Sequence, residues 1–148
     1  MISKELQNSL SAALREARRR QHEYLCVEHL LHVFLDEPKA AEILHNRGVN
    51  LTDLRGKTEN FLAKELETVP GGPGSDIHQS PAFERLLQRA FMHVQYSGKE
   101  EIDAGDVLAA IFEEEDSHAA YFLEQEGASR LDVLEYISHG ISRGEQGP

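Results

Sequence analysis

The fold turns on residues 6–17, Leu6-Gln7-Asn8-Ser9-Leu10-Ser11-Ala12-Ala13-Leu14-Arg15-Glu16-Ala17. Leu6, Leu10, Ala13, Leu14 and Ala17 recur every three or four residues, which sets them along one side of a helix over about residues 3–20. The stripe returns 77 residues later, with Phe83, Leu87, Ala90, Phe91 and Val94 in the same places. The register then holds through Leu25 and Ile102, Leu31 and Leu108, Phe34 and Ile111, and Leu35 and Phe112. After a two-residue insertion it continues at a spacing of 79, pairing Ala40-Ala41 with Ala119-Ala120, Leu44 with Leu123, Gly48 with Gly127 and Asp53 with Asp132. One buried-face pattern is written twice, as in a tandem repeat. Leu10, Leu14, Leu31, Leu35, Leu87, Phe91, Leu108 and Phe112 are expected in the core.

Punctuation divides each copy into four helices. Pro38 suits the first turn of a third helix that stops before Gly48, and Asn50 with Asp53 suits the cap of a fourth. In the second copy Ser80-Pro81, Asp103 with Asp106, and Ser129 with Asp132 mark helix starts, and Gly98, Gly127 and Gly140 mark ends. Val69-Pro70-Gly71-Gly72-Pro73-Gly74-Ser75 can sustain neither a helix nor a central strand. The expectation is an all-α fold of eight helices, a pseudo-twofold tandem repeat of a four-helix unit. Its parts are a first repeat at 3–67, a Pro/Gly linker at 68–79, a second repeat at 80–141 and a flexible tail at 142–148.

Composition narrows the function. With 15 Lys and Arg against 26 Asp and Glu, the formal net charge is −11, which repels a phosphate backbone. The one basic cluster, Arg15, Arg18, Arg19 and Arg20, ends the first helix, where cations offset the dipole. No nucleic-acid or membrane partner is expected. No apolar run approaches the roughly 18 residues of a membrane span, and Met1–Glu5 lacks the apolar core of a signal peptide, so the expected location is cytoplasmic. The single cysteine, Cys26, allows no internal disulfide.

Catalytic apparatus is not legible. The chain has no phosphate loop, no dinucleotide fingerprint and no nucleophile elbow. His22, Glu23, Glu28, His29 and His32 fall within eleven residues and are all zinc-ligating types, with His22, His29 and His32 as weak metal candidates. The His-Glu-x-x-His signature of zinc hydrolases is broken, because Cys26 stands where its second histidine would be. Neither cofactor nor catalytic residue is assigned. Glu113-Glu114-Glu115-Asp116 reads as a solvated loop that could attract a basic partner.

Several runs carry a family resemblance: His22-Glu23-Tyr24, Val27-Glu28-His29-Leu30-Leu31, residues 83–90, Ala119-Ala120-Tyr121-Phe122-Leu123, Arg130-Leu131-Asp132-Val133 and Ile137-Ser138-His139-Gly140. Together they resemble the double-repeat N-terminal domain of Clp-type AAA+ unfoldases, most closely the ClpA type. The resemblance implies a binding domain without turnover that docks a ClpS-type adaptor or substrate proteins. The ClpP peptidase would be reached only through ATPase modules outside this chain. It also implies an adaptor contact at His22, Glu23 and Glu28, with Ser80 where a threonine is usual. In the related ClpC type, paired glutamates at matching helix starts receive phosphoarginine; here the pair is Glu28 and Gly105, which weakens that reading. Two alternatives stand beside it: a small zinc-dependent hydrolase using the His22–His32 cluster, and a spacer limiting access to a motor.

Overall fold

The computed structural model describes residues 1–72 and 77–139; the expected tail, Gly140 and part of the linker lie outside them. Among the described residues eight helices form: α1 (Lys4–Arg19), α2 (Val27–Phe34), α3 (Pro38–Asn46), α4 (Leu51–Lys64), α5 (Pro81–Ser97), α6 (Ala104–Ile111), α7 (His118–Gln125) and α8 (Arg130–His139). Two two-residue strands, β1 (Tyr24–Leu25) and β2 (His78–Gln79), pair in parallel. The linker therefore ends by adding a short ladder to an otherwise all-α molecule. Among the described residues no helix is long and apolar enough to cross a membrane.

Helix starts follow the capping residues. Ser3 accepts from the Leu6 amide at 3.1 Å, and Ser80, 77 positions on, accepts from the Phe83 amide at 3.1 Å. Asn50, Asp103, Ser117 and Ser129 cap in the same way. At the start of α2 the cap runs the other way, with His29 Nδ1 accepting from the Cys26 amide at 2.9 Å. The carboxylate of Asp106 does the same for the Asp103 amide at 2.9 Å. Gly48, Gly98 and Gly127 follow helix ends at φ near +80 to +90°, where a side chain would be strained.

The pseudo-twofold relation is visible in single hydrogen bonds. Ser3 N donates to Ile102 O at 2.9 Å, and Ser80 N donates to Leu25 O at 2.9 Å, so each half ties its first helix to the second-helix entry of the other. The third helices go further. α3 lies on α6 and α8, and α7 lies on α2 and α4. Ala40, Ile43 and Leu44 of α3 and Ala119, Ala120 and Leu123 of α7 are completely buried there. Phe61 of α4 meets the rings of His118 and Phe122 of α7 at 4.5 and 6.1 Å. Gly105 of α6 lets α3 and α8 approach, because a Cβ there would stand 3.3 Å from Ile43 Cδ1 and Ile137 Cδ1.

Of the expected core residues, Leu31, Leu35, Leu108 and Phe112 are buried, while Leu10, Leu14 and Leu87 are half-buried. Phe91 is 40% exposed, contrary to expectation. Its repeat counterpart Leu14 is itself only half-buried, so this position lies at the margin of the stripe.

Candidate functional site

The seam between the halves is built from the turn after α1. Gln21, at φ +61°, reverses the chain. Residues 21–23 then run antiparallel to 67–69, with Glu23 N donating to Glu67 O at 3.2 Å and Val69 N to Gln21 O at 2.8 Å. Immediately afterwards Tyr24 and Leu25 pair with His78 and Gln79. Backbone bonds on both sides thus fix a strip that carries exposed Tyr24 and half-buried Glu23. Beside it a pocket of about 180 Å³ is lined by His22, Glu23, Tyr24, Cys26, Leu66 and the carboxylates of Glu65 and Glu67. Three of its lining residues, Glu23, Glu65 and Glu67, are acidic. Sequence reasoning missed Glu65, Leu66 and Glu67, which lie more than forty residues away and meet the turn only through the 67–69 backbone pairing.

The four residues implied as an adaptor contact separate into two groups. Glu23 and Ser80 lie at the seam surface, although Ser80 Oγ is engaged in capping α5. His22 and Glu28 are buried, at 2% and 6% exposure. Glu28 reaches across the halves, its Oε2 accepting from the Ala119 amide at 3.0 Å in the first turn of α7. There a carboxylate satisfies an otherwise orphan helix amide and meets the positive end of the helix dipole. Glu28→Ala should therefore cost about 2 kcal/mol of stability by leaving that amide unbonded, and Glu28→Gln less, since its amide oxygen can still accept. Equal melting temperatures for wild type and Glu28→Ala would refute this role.

His22 and His29 form a chain of hydrogen bonds. The Cys26 amide donates to His29 Nδ1, so the neutral ring carries its proton on Nε2, which donates to His22 Nδ1 at 2.7 Å. His22 then bonds the backbone of Leu62. The ring lone pairs that could bind zinc are already occupied. Desolvation lowers the pKa of both rings, that of His29 to about 3, aided by His22 and Arg20. His32 stands apart, its Nδ1 2.8 Å from Thr58 Oγ1. Because Thr58 already donates to Arg55 O, this ring is the donor. Of the three weak metal candidates His22 and His29 thus bond each other while His32 bonds Thr58, and no group of three potential metal ligands occurs among the described residues. Cys26 is no nucleophile at neutral pH, since burial and the charge of Glu28 push its thiol up to about 12.

Residues 1–126 match the family described as the Clp repeat (R) N-terminal domain. A "ClpA homolog protein" of Fuscovulum blasticum is 40% identical over 143 residues, covering 96% of this chain; the chain spans only 18% of that relative's length. The fold is similar to the Hsp104 N-terminal domain from Candida albicans, with TM-score 0.82 and 14% identity over 95% of this chain and 93% of that one. It is also similar to the N-domain of ClpV from Vibrio cholerae, with TM-score 0.76 and 20% identity over 93% and 82% of the two chains. A ClpV N-domain in complex with a VipB peptide superposes with TM-score 0.74 at 21% identity, over 93% and 85% of the chains. With the duplicated four-helix unit and its interlocked third helices, this match shows that the chain belongs to the Clp repeat N-terminal domain family.

Proposed function

We propose that this chain is the partner-docking N-terminal domain of an ATP-driven protein unfoldase, and that a ClpS-type adaptor or substrate protein docks on the seam strip. The carrying observation is the pocket lined by Glu23, Glu65 and Glu67 beside exposed Tyr24, held by backbone bonds on both sides. A preformed strip lowers the ordering cost of binding, and its carboxylates suit a basic, partly apolar partner segment. Binding of a VipB peptide by a ClpV N-domain supports a docking role for this fold. ATPase modules belong to the remainder of such a protein, and a ClpP-type peptidase would be reached only through them. The domain itself turns nothing over: its thiol is protonated and its paired histidines are saturated. His22 and Glu28 act by shaping the strip and holding α7, while Glu23 and Tyr24 touch the partner.

Calorimetric titration with a ClpS-type adaptor tests the reading. Glu23→Lys and Tyr24→Ala should each weaken binding roughly tenfold or more, with melting temperatures near wild type. Unchanged affinity in the double variant would move the docking face elsewhere. A pure spacer would bind no adaptor at all, and zinc-dependent hydrolysis lost on His29→Ala would instead favour the hydrolase alternative.

A further inference from the structure

Each half bridges its first turn to its second helix, and the two bridges use different chemistry. A shift of 77 residues sets Gln21 on Gly98, His22 on Lys99, Cys26 on Asp103 and His29 on Asp106. Gln21 and Gly98 both reverse the chain, at φ +61° and +78°. In the second half Lys99 Nζ donates to Asp106 Oδ2 at 2.7 Å, and Asp106 accepts from the Asp103 amide at 2.9 Å. In the first half the rings of His22 and His29 meet at 2.7 Å, and His29 accepts from the Cys26 amide at 2.9 Å. An ion pair and a pair of neutral rings thus hold the same geometry. The turn bridged by the rings carries Glu23 and Tyr24 of the docking strip, whereas its counterpart carries exposed Glu100 and Glu101.

We infer that His22 and His29 are positioning residues for the seam strip, and that a proton added to the ring pair releases the strip, so that docking weakens in acid. The inference rests on the seam being the docking face. Backbone bonds tie the strip to residues 67–69 and 78–79, and the ring pair ties it to α2 of its own half. No ring nitrogen is left free to take a proton, because His29 Nδ1 accepts from Cys26 and His22 Nδ1 accepts from His29. Protonation at either one sets two N–H groups against each other and breaks a bond of the bridge. Both rings are buried, where a cation without an acceptor is costly. Desolvation opposes the added proton most on either ring; Arg20 opposes it as well, and Glu16 of α1 favours it. Arg20 is itself paired with Glu16 and with Glu59 of α4, while Glu23, Glu65 and Glu67 share the pocket wall with His22 and the Cys26 thiol. A lysine–aspartate bridge carries opposite charges at every pH between the ordinary carboxylate and amine ranges. The second half is therefore the internal reference for the first.

The test compares amide hydrogen exchange at residues 22–25 and 99–102 of the full chain at pH 7 and pH 5, corrected for intrinsic rates. In acid the opening of 22–25 should rise roughly tenfold or more beyond that of 99–102. His22→Lys combined with His29→Asp, which transplants the second half's bridge, should remove the difference. Lys99→His combined with Asp106→His should confer acid opening on 99–102, and decides the matter if the first variant folds poorly. Calorimetric titration with a ClpS-type adaptor then reads docking. Wild-type affinity should fall roughly tenfold between pH 7 and pH 5, and that of the transplanted variant less, since both chains keep Glu23, Glu65 and Glu67. The inference is overturned by equal acid opening of the two wild-type turns, or by affinities that fall alike in wild type and a well-folded transplanted variant. Absence of adaptor binding at pH 7 overturns the docking face instead, and the exchange comparison still decides whether the ring pair positions the strip.

Discussion

Leu31→Ala and Leu108→Ala should each lower the free energy of unfolding by about 2–5 kcal/mol. The two leucines are repeat counterparts and are completely buried. Leu31 lies in α2, which packs on α1 and α4 of its own half and on α5, α6 and α7 of the other. Truncation leaves a space bounded by several helices, so no single element can shift to close it, and cavity and lost-transfer costs add. α2 and α6 touch each other, so the double variant should depart from the sum of the single ones. Urea denaturation of the three variants checks both statements. A loss below about 1 kcal/mol in either single variant, less than burial of an aliphatic side chain contributes, would show that its helix is not central.

The second large effect is a loss of stability in acid, beginning near neutrality. His22, His29 and His32 all have pKa values lowered by desolvation, that of His29 from the ordinary 6.5 to about 3. Between pH 6.5 and the folded-state values the unfolded chain binds more protons. Stability is therefore full above pH 6.5 and falls as the pH drops through that window. From pH 7 to pH 5 His29 alone should account for about 2 kcal/mol. Below pH 4.5 a further loss enters from Glu16, held at about 2 by Arg19 and Arg20 despite some desolvation, because that carboxylate must then be protonated. Denaturant titrations from pH 4 to 8 should show the slope, and His29→Gln, which can still accept from the Cys26 amide, should flatten it between pH 5 and 7. A wild-type stability independent of pH over 5–7 would contradict buried neutral rings.

Much of the fold is legible in the chain because its repeat and its caps are local signals. The stripe from Leu6 to Ala17 and its copy identify the buried face of each first helix, and Ser80, Asn50 and Asp103 mark helix starts by bonding amides three residues on. Periodicity says which face is buried, not what covers it. Nothing in Ala40, Ile43 and Leu44 announces that they pack on helices more than sixty residues ahead. Phe91 shows the same limit, since its place in the stripe matches half-buried Leu14 while it stands 40% exposed. The candidate site is legible only in part. Glu23 emerges at the surface, but Glu28 is drawn inward by an amide 91 residues away, and His22 by a ring seven residues on across a turn that no helical spacing describes.

The exchanged third helices carry a statement about ancestry. Separated from its twin, either half would lose the helix that covers its second and fourth, exposing surfaces such as that of Phe61. A lone four-helix unit of this design would expose those faces unless it paired with a second copy, which is the arrangement that a duplicated and fused chain reproduces within one polypeptide. Fusion removes the need to find a partner by diffusion. It also frees two once-identical surfaces to diverge, which is how one copy could acquire Arg85 and Arg89 while the other kept Asn8 and Ala12. Expressed as two separate polypeptides cut within the Pro/Gly linker, the halves should reassociate one to one, each unfolded or self-paired until the other arrives.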